Sequence, residues 1–208
     1  MGFFISFEGI DGAGKSTQVQ RLARRLAALG FDVVTVREPG GTPLGETLRE
    51  ILRNPVREMD PRAEACLYAA ARAELVDRVI LPALRAGKVV LADRFTDSTL
   101  AYQGAGRGLS VELLSALNAF VTQGLSPDCT VIIDLPVAAA LARVGAPGER
   151  DRMERLGPAF FSRVREYYLH LAGQDPTRYL VVDGGRAPEA VEAEIFRLVK
   201  EALGRCTR

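Results

Sequence analysis

Runs of β-branched and aromatic residues alternate along the chain with longer stretches whose apolar positions recur every three or four residues. The runs at Gly2–Phe7, Phe31–Val36, Lys88–Ala92, Thr130–Asp134 and Tyr179–Val182 predict five short strands. Between the first two, Lys15–Leu29 carries Val19, Leu22, Ala23, Leu26 and Leu29 at helical spacing, and Gly30 stops it. Helices are also expected over Pro43–Leu52, Pro61–Ala86, Ser110 to about Gln123, Val137–Val144, Pro158–Leu171 and Pro188–Leu203. Ser110 suits an N-cap, and Pro82 is expected to kink or divide the longest helix. Gly145–Gly157 is polar, with glycines, a proline and many charges, and reads as a loop. Strands without polar interruption are buried on both faces, so the pattern predicts an α/β fold: a five-stranded parallel sheet flanked by helices.

Length and composition narrow this only slightly. The 208 residues fit a single domain, 48% hydrophobic, with no repeat or linker. A net charge of +1 provides no global field for nucleic acid or anionic membrane, so any anion must be bound by local groups. Met1–Phe7 is too short for a secretory signal, and no stretch approaches the roughly 20 apolar residues of a membrane span. Cys66, Cys129 and Cys206 are odd in number and widely spaced, which argues against a disulfide framework or a zinc site and suits the cytoplasm.

The turn after the first strand changes the picture. Gly9-Ile10-Asp11-Gly12-Ala13-Gly14-Lys15-Ser16 matches G-x-x-x-x-G-K-[ST], between a strand and a helix as the motif requires. Such a loop turns its backbone N–H groups on phosphate oxygens, and the helix beginning at Lys15 points its positive end at them. Lys15 supplies a charge for the β and γ phosphates, and the Ser16 hydroxyl is a ligand for Mg²⁺. This is a P-loop NTPase fold in prospect, although nucleotide binding alone does not name a reaction. The guanine-reading Asn-Lys-x-Asp of GTPases is absent from the chain, as is a transporter-type Leu-Ser-Gly-Gly segment.

Two other segments fall at the carboxyl ends of strands, where open α/β sheets bind ligands. Asp93-Arg94 places a candidate metal ligand beside a two-pronged phosphate donor. The alternative is a solvated ion pair capping the next helix. Arg37-Glu38-Pro39-Gly40-Gly41-Thr42 offers a close backbone approach, or simply an ordinary turn. Tyr68 and Arg72 stand at i, i+4 and share one helix face.

Taken together, Phe7–Gln18, Arg37–Thr42, Asp93-Arg94-Phe95 and Ser98-Thr99-Leu100-Ala101-Tyr102-Gln103-Gly104 resemble the thymidylate kinase family of the bacterial sort, over nearly the whole chain. The resemblance implies ATP + dTMP → ADP + dTDP with Mg²⁺, in a homodimer. It implies that Ile10, Asp11, Gly12, Ala13, Gly14, Lys15, Ser16 and Thr17 hold the ATP phosphates, with Ser16 and Asp93 at the metal. The dTMP site would comprise Asp11 near the sugar 3′-hydroxyl or the metal, Glu38, Pro39 and Gly40 at the border, Tyr68 stacked on thymine and Arg72 at its O4. Arg94 would hold the phosphate, and Thr99 and Tyr102 would meet the base and crowd the 2′ position. One branch of the family carries an arginine inside the phosphate loop. Gly12 stands there in this chain, so the resemblance moves the catalytic arginine to a mobile lid at about 143–157, with Arg150 and Arg152 favoured. Arg143 and Arg186 would then border the adenine. Local pairing of these lid charges is the competing explanation.

Two other readings remain open from the residues: a P-loop kinase for a different nucleoside or nucleotide, and a nucleotide-binding regulator without acceptor-dependent turnover.

Overall fold

A computed structural model describes residues 2–54, 58–144 and 152–206. Its sheet is formed by β1 (Phe3–Glu8), β2 (Val33–Arg37), β3 (Val89–Asp93), β4 (Cys129–Asp134) and β5 (Tyr179–Asp183). All pairings are parallel, in the order β2-β3-β1-β4-β5. The helices are α1 (Lys15–Ala28), α2 (Pro43–Arg53), α3 (Pro61–Leu75), α4 (Leu81–Arg85), α5 (Thr96–Thr99), α6 (Val111–Thr122), α7 (Val137–Arg143), α8 (Gly157–Gln174) and α9 (Pro188–Cys206). One apolar cluster joins strand residues of the sheet to α1, α8 and α9, and a second packs Phe4, Val36, Val90 and Ala92 on Leu75, Val76 and Ile80. Burial on both faces is what the uninterrupted apolar strands predict.

Four strands end one residue later than predicted, and β4 ends at Asp134 as expected. Glu8, Arg37, Asp93, Asp134 and Asp183 close their strands and stay in register: Arg37 and Phe7 flank Asp93, and Asp134 pairs with Asp183. The carboxyl edge of the sheet is therefore lined by charges held on rigid backbone.

The long helix expected over Pro61–Ala86 is divided upstream of its proline. It is α-helical to Leu75, widens to a π-helical turn over Val76–Ile80, and resumes as α4. Pro82 has no N–H for the Arg78 carbonyl, and its ring crowds that carbonyl. The ladder widens ahead of it, with Leu81 N–H donating to the Val76 carbonyl. The segment after β3, where no helix was expected, is helical as α5 and a π-helical stretch over Leu100–Gly106. Most of its residues are buried, so it has no polar face from which a period could be read.

Candidate functional site

A cleft of about 1050 Å³ opens at the carboxyl edge of β1, β2 and β3. Asp11, Gly12, Ala13, Gly14, Lys15, Ser16 and Thr17 line it, with Glu38, Asp93, Arg94, Arg143 and Arg186. Ile10 turns inward, 2% exposed, and takes part through its carbonyl. Beside the cleft is a pocket of about 160 Å³, lined by Asp11, Glu38, Pro39, Tyr68, Arg72, Arg94, Thr99 and Tyr102. Asp11, Glu38, Arg49 and Arg94 belong to both linings and form the wall between them.

The loop before α1 needs its glycines. Gly12 has φ +82, and a Cβ there would lie 2.3 Å from the Ala140 carbonyl oxygen of α7. That contact excludes an arginine at this position unless α7 moves. Lys15 is 6% exposed, and its Nζ donates to the Gly9 and Ile10 carbonyls at 3.0 and 2.9 Å. Burial, then the like charge of Arg94, lowers the Lys15 amine to about 8 against the pull of Asp11, Asp93 and Glu8. The Ser16 hydroxyl donates to Asp93 Oδ2 at the cleft.

Arg94 is the centre of the shared wall. Its Nη2 donates to Asp11 Oδ1 at 2.6 Å and to the Tyr102 hydroxyl at 3.0 Å, and its Nη1 donates to the Gly9 carbonyl and Ser98 Oγ, both at 3.2 Å. The guanidinium carbon lies 4.8 Å from the Tyr102 ring centre. Its backbone has φ 76, a left-handed conformation that costs a side-chain-bearing residue about 1–2 kcal/mol. Burial raises the Asp11 carboxyl, but Arg94, Lys15 and the Tyr102 hydroxyl outweigh it and hold the group below the usual carboxylate range. Asp11 is thus an acceptor kept ionised between two cations.

The floor of the pocket is another arginine. Arg72 is 1% exposed and donates to Glu38 Oε2 at 2.8 Å through Nε, to Thr99 Oγ1 at 2.9 Å and Asn118 Oδ1 at 2.7 Å through Nη1, and to the Phe95 carbonyl at 3.0 Å through Nη2. Nη2 also lies 2.6 Å from Glu38 Oε2, so every donor of the guanidinium has a partner within the protein. Burial raises Glu38 despite Arg72. Burial also raises the Tyr68 phenol, so it stays neutral.

The arginines expected at the lid and at the adenine divide. Arg143 Nη2 donates to the Gly184 carbonyl at 3.3 Å, and Arg186 pairs with Glu194; both side chains line the cleft. Arg150 lies outside the described residues. Arg152 is 8% exposed and lines neither cavity. It pairs through Nη1 with Glu64 and donates through Nε to the Leu52 carbonyl at 3.1 Å.

Five residues lining the small pocket were given no role in the sequence reading: Arg49, Arg53, Ser98, Gln103 and Glu154. Arg49 and Arg53 project from α2, and Gln103 comes from the π-helical stretch. Arg49 Nη1 donates to the Pro39 carbonyl at 2.9 Å. The available signal was the i, i+4 spacing of the two arginines on an otherwise amphipathic helix. Gln103 lies within the quoted Ser98–Gly104 motif but was assigned no role.

The arrangement offers a phosphate cradle, a hard-oxygen pair at Ser16 and Asp93, and an arginine between the cradle and a small pocket with an aromatic wall. A family model described as thymidylate kinase matches residues 7–195. The chain is 50% identical over 200 residues to the thymidylate kinase of Deinococcus radiodurans, covering 96% of this chain and 97% of that one. It is 52% identical over 206 residues to that of Pseudomonas entomophila, covering 99% and 98%. Among solved structures, thymidylate kinase from Ehrlichia chaffeensis superposes with a TM-score of 0.78 at 34% identity, covering 95% of this chain and 98% of that one.

Proposed function

The chain belongs to the thymidylate kinase family, and we propose that it transfers the γ-phosphoryl group of ATP to dTMP, giving ADP and dTDP. The observation that carries this reading is the shared wall. A nucleotide with its phosphates in the loop and an acceptor in the small pocket would meet across Arg94 and Asp11. An oxygen of the acceptor phosphate attacks the γ phosphorus, and the bond from that phosphorus to the β–γ bridging oxygen breaks. The acceptor is already anionic near neutral pH, so no general base is needed, and catalysis rests on position and charge.

Lys15 brings its charge to the β and γ oxygens, and Arg94 grips the acceptor phosphate through a fork that Asp11 and Tyr102 hold in place. Tyr68 would stack on the base, with Arg72 and Thr99 at its edge, Pro39 and Glu38 at the border, and Tyr102 crowding a ribose hydroxyl. Arg49, half in each cavity, adds a second cation near the transferred group. The Ser16 hydroxyl and Asp93 carboxylate are the oxygen donors that Mg²⁺ prefers, and the ion would neutralise β and γ oxygens when bound. Arg143 and Arg186 would border adenine. Arg150 and Arg152 are the candidates for transition-state charge from the lid; Arg152 reaches the cleft only by giving up Glu64 and the Leu52 carbonyl.

ADP release with dTMP, dUMP, dCMP, dGMP, AMP and UMP as separate acceptors tests the reading. Preference for dTMP supports it, and ADP release that ignores every acceptor sinks it.

The Lys15 amine gives a pH prediction. A cation at Lys15 favours the bound phosphates, and the free enzyme loses that cation above about 8. Binding must then take up a proton, so the Kd for ATP stays flat from pH 7 to 8 and rises about tenfold per unit above it. Calorimetric titration between pH 7 and 9.5 checks this, with Lys15→Gln expected to remove the slope.

We also propose that the enzyme works as a cytoplasmic homodimer. Leu113 and Phe120 on α6 are 74% and 82% exposed and seven residues apart, hence on one helix face. Phe120→Glu is expected to yield monomer by light scattering at micromolar concentration. An unchanged dimer mass would discard this face. Among the described residues, no helix is long and apolar enough to cross a membrane.

A further inference from the structure

Behind Arg94 lies a carboxylate that touches neither cavity. Glu8 closes β1 and is 0% exposed. Its Oε1 accepts the Phe95 N–H at 2.8 Å. Its Oε2 accepts the Ser98 hydroxyl at 2.6 Å and the Tyr168 hydroxyl of α8 at 2.9 Å. Three donors from two parts of the chain thus converge on one buried side chain.

Two of them act on Arg94. Phe95 is the next residue, and its N–H fixes the peptide on the far side of the left-handed Arg94 backbone, whose own N–H donates to the Phe7 carbonyl at 3.0 Å. Ser98 Oγ, while donating to Glu8, accepts Arg94 Nη1 at 3.2 Å. The backbone and the fork of Arg94 are therefore tied to the same carboxylate.

Packing alone does not call for a glutamate here. Burial, with the like charge of Asp97 behind it, pushes the Glu8 carboxyl up to about 7, against the hydrogen bonds and Arg94. An ionised buried carboxylate is expensive to hold. A glutamine of the same shape avoids that cost but must turn its N–H₂ group either toward the Phe95 N–H or toward the two hydroxyl donors. What the carboxylate uniquely provides is acceptors on every side.

We infer that Glu8 is a positioning residue for the acceptor phosphate, holding Arg94 in the wall between the two cavities through Phe95 N–H and Ser98 Oγ. It rests on the reading of Arg94 as the group that grips this phosphate. The test is Glu8→Gln in the full-length enzyme, with KM measured separately for dTMP and ATP and folding followed by circular dichroism. A rise of about tenfold in KM for dTMP, with KM for ATP within about twofold of wild type, is expected for loss of one charge-assisted hydrogen-bond set. Tyr168→Phe removes one donor from Oε2 and leaves the pocket lining untouched, so a smaller rise of about threefold, again confined to dTMP, is expected.

A rise in both KM values together, or in neither, in a folded variant overturns the inference. If Glu8→Gln does not fold, Tyr168→Phe decides: an unchanged KM for dTMP overturns it. Arg94→Ala separates the two levels. Should it leave KM for dTMP unaltered, the reading of Arg94 itself fails; should it raise KM while Glu8→Gln does not, only the role of Glu8 fails.

Discussion

Arg94→Ala is expected to lower kcat/KM for dTMP by about 10³-fold or more, roughly 4 kcal/mol of transition-state stabilisation. Arginines aimed at a transferring phosphoryl group contribute on that scale because the site excludes water and the charge they meet grows as the bond breaks. The geometry gives Arg94 this weight. It stands in both linings, and four acceptors from Gly9, Asp11, Ser98 and Tyr102 pre-set its fork. Arg94→Lys keeps the charge but loses the two-pronged reach, so it should recover only part of the activity. The Kd for ATP should change little, because on the proposed reading Lys15 and the loop amides hold that nucleotide. Steady-state kinetics with dTMP varied, beside ATP titrations, checks both halves. A loss below tenfold would move the acceptor phosphate away from this wall, with Arg49 as the next cation to test.

The parts of this site that were legible in the sequence are those made by neighbours along the chain. The phosphate loop is a local device: its glycines, its lysine and its helix start lie within a few residues, so the motif and the structure coincide. The sheet was legible because strands buried on both faces have no alternation to misread. Strand ends were less so: Glu8, Arg37 and Asp93 are charged and look like loop, yet a ladder can end on a charge when its side chain has a buried partner or faces a cleft. The helical segment after β3 was invisible because it is buried nearly all round. Contacts between distant residues carried no sequence signal. Arg152 and Glu64 are 88 residues apart, and nothing along the lid distinguishes an arginine held by a buried glutamate from one free to meet phosphate. Arg49, ten residues from Pro39, was missed for a different reason: its i, i+4 spacing with Arg53 marks a shared helix face but does not say that this face meets the pocket.

Arg72→Met should destabilise the protein by about 3–5 kcal/mol, the range for removing one member of a buried ion pair. The methionine fills much of the volume, so the loss reports on charge more than on a cavity. Glu38 is left 6% exposed with Oε2 stripped of its guanidinium, while its Oε1 is buried without a hydrogen-bond partner. Asn118 and Thr99 lose donors too. For a chain of this length the melting temperature should fall by roughly 10 °C or more. The pH dependence has a definite sign. Glu38 is already raised by burial and held back by Arg72, so without Arg72 its folded pKa rises further. The folded state then binds a proton that the unfolded state releases near neutral pH, and stability increases as pH falls. The deficit of Arg72→Met against wild type should therefore shrink between pH 8 and pH 5. Adding Glu38→Gln removes the stranded charge and should restore much of the stability at pH 8, a coupling that two independent sites would not produce. Calorimetric melting of the four proteins across that pH range decides the matter: a single-variant loss under 2 °C, or a deficit indifferent to pH, would mean that the pair shapes the pocket without holding it together.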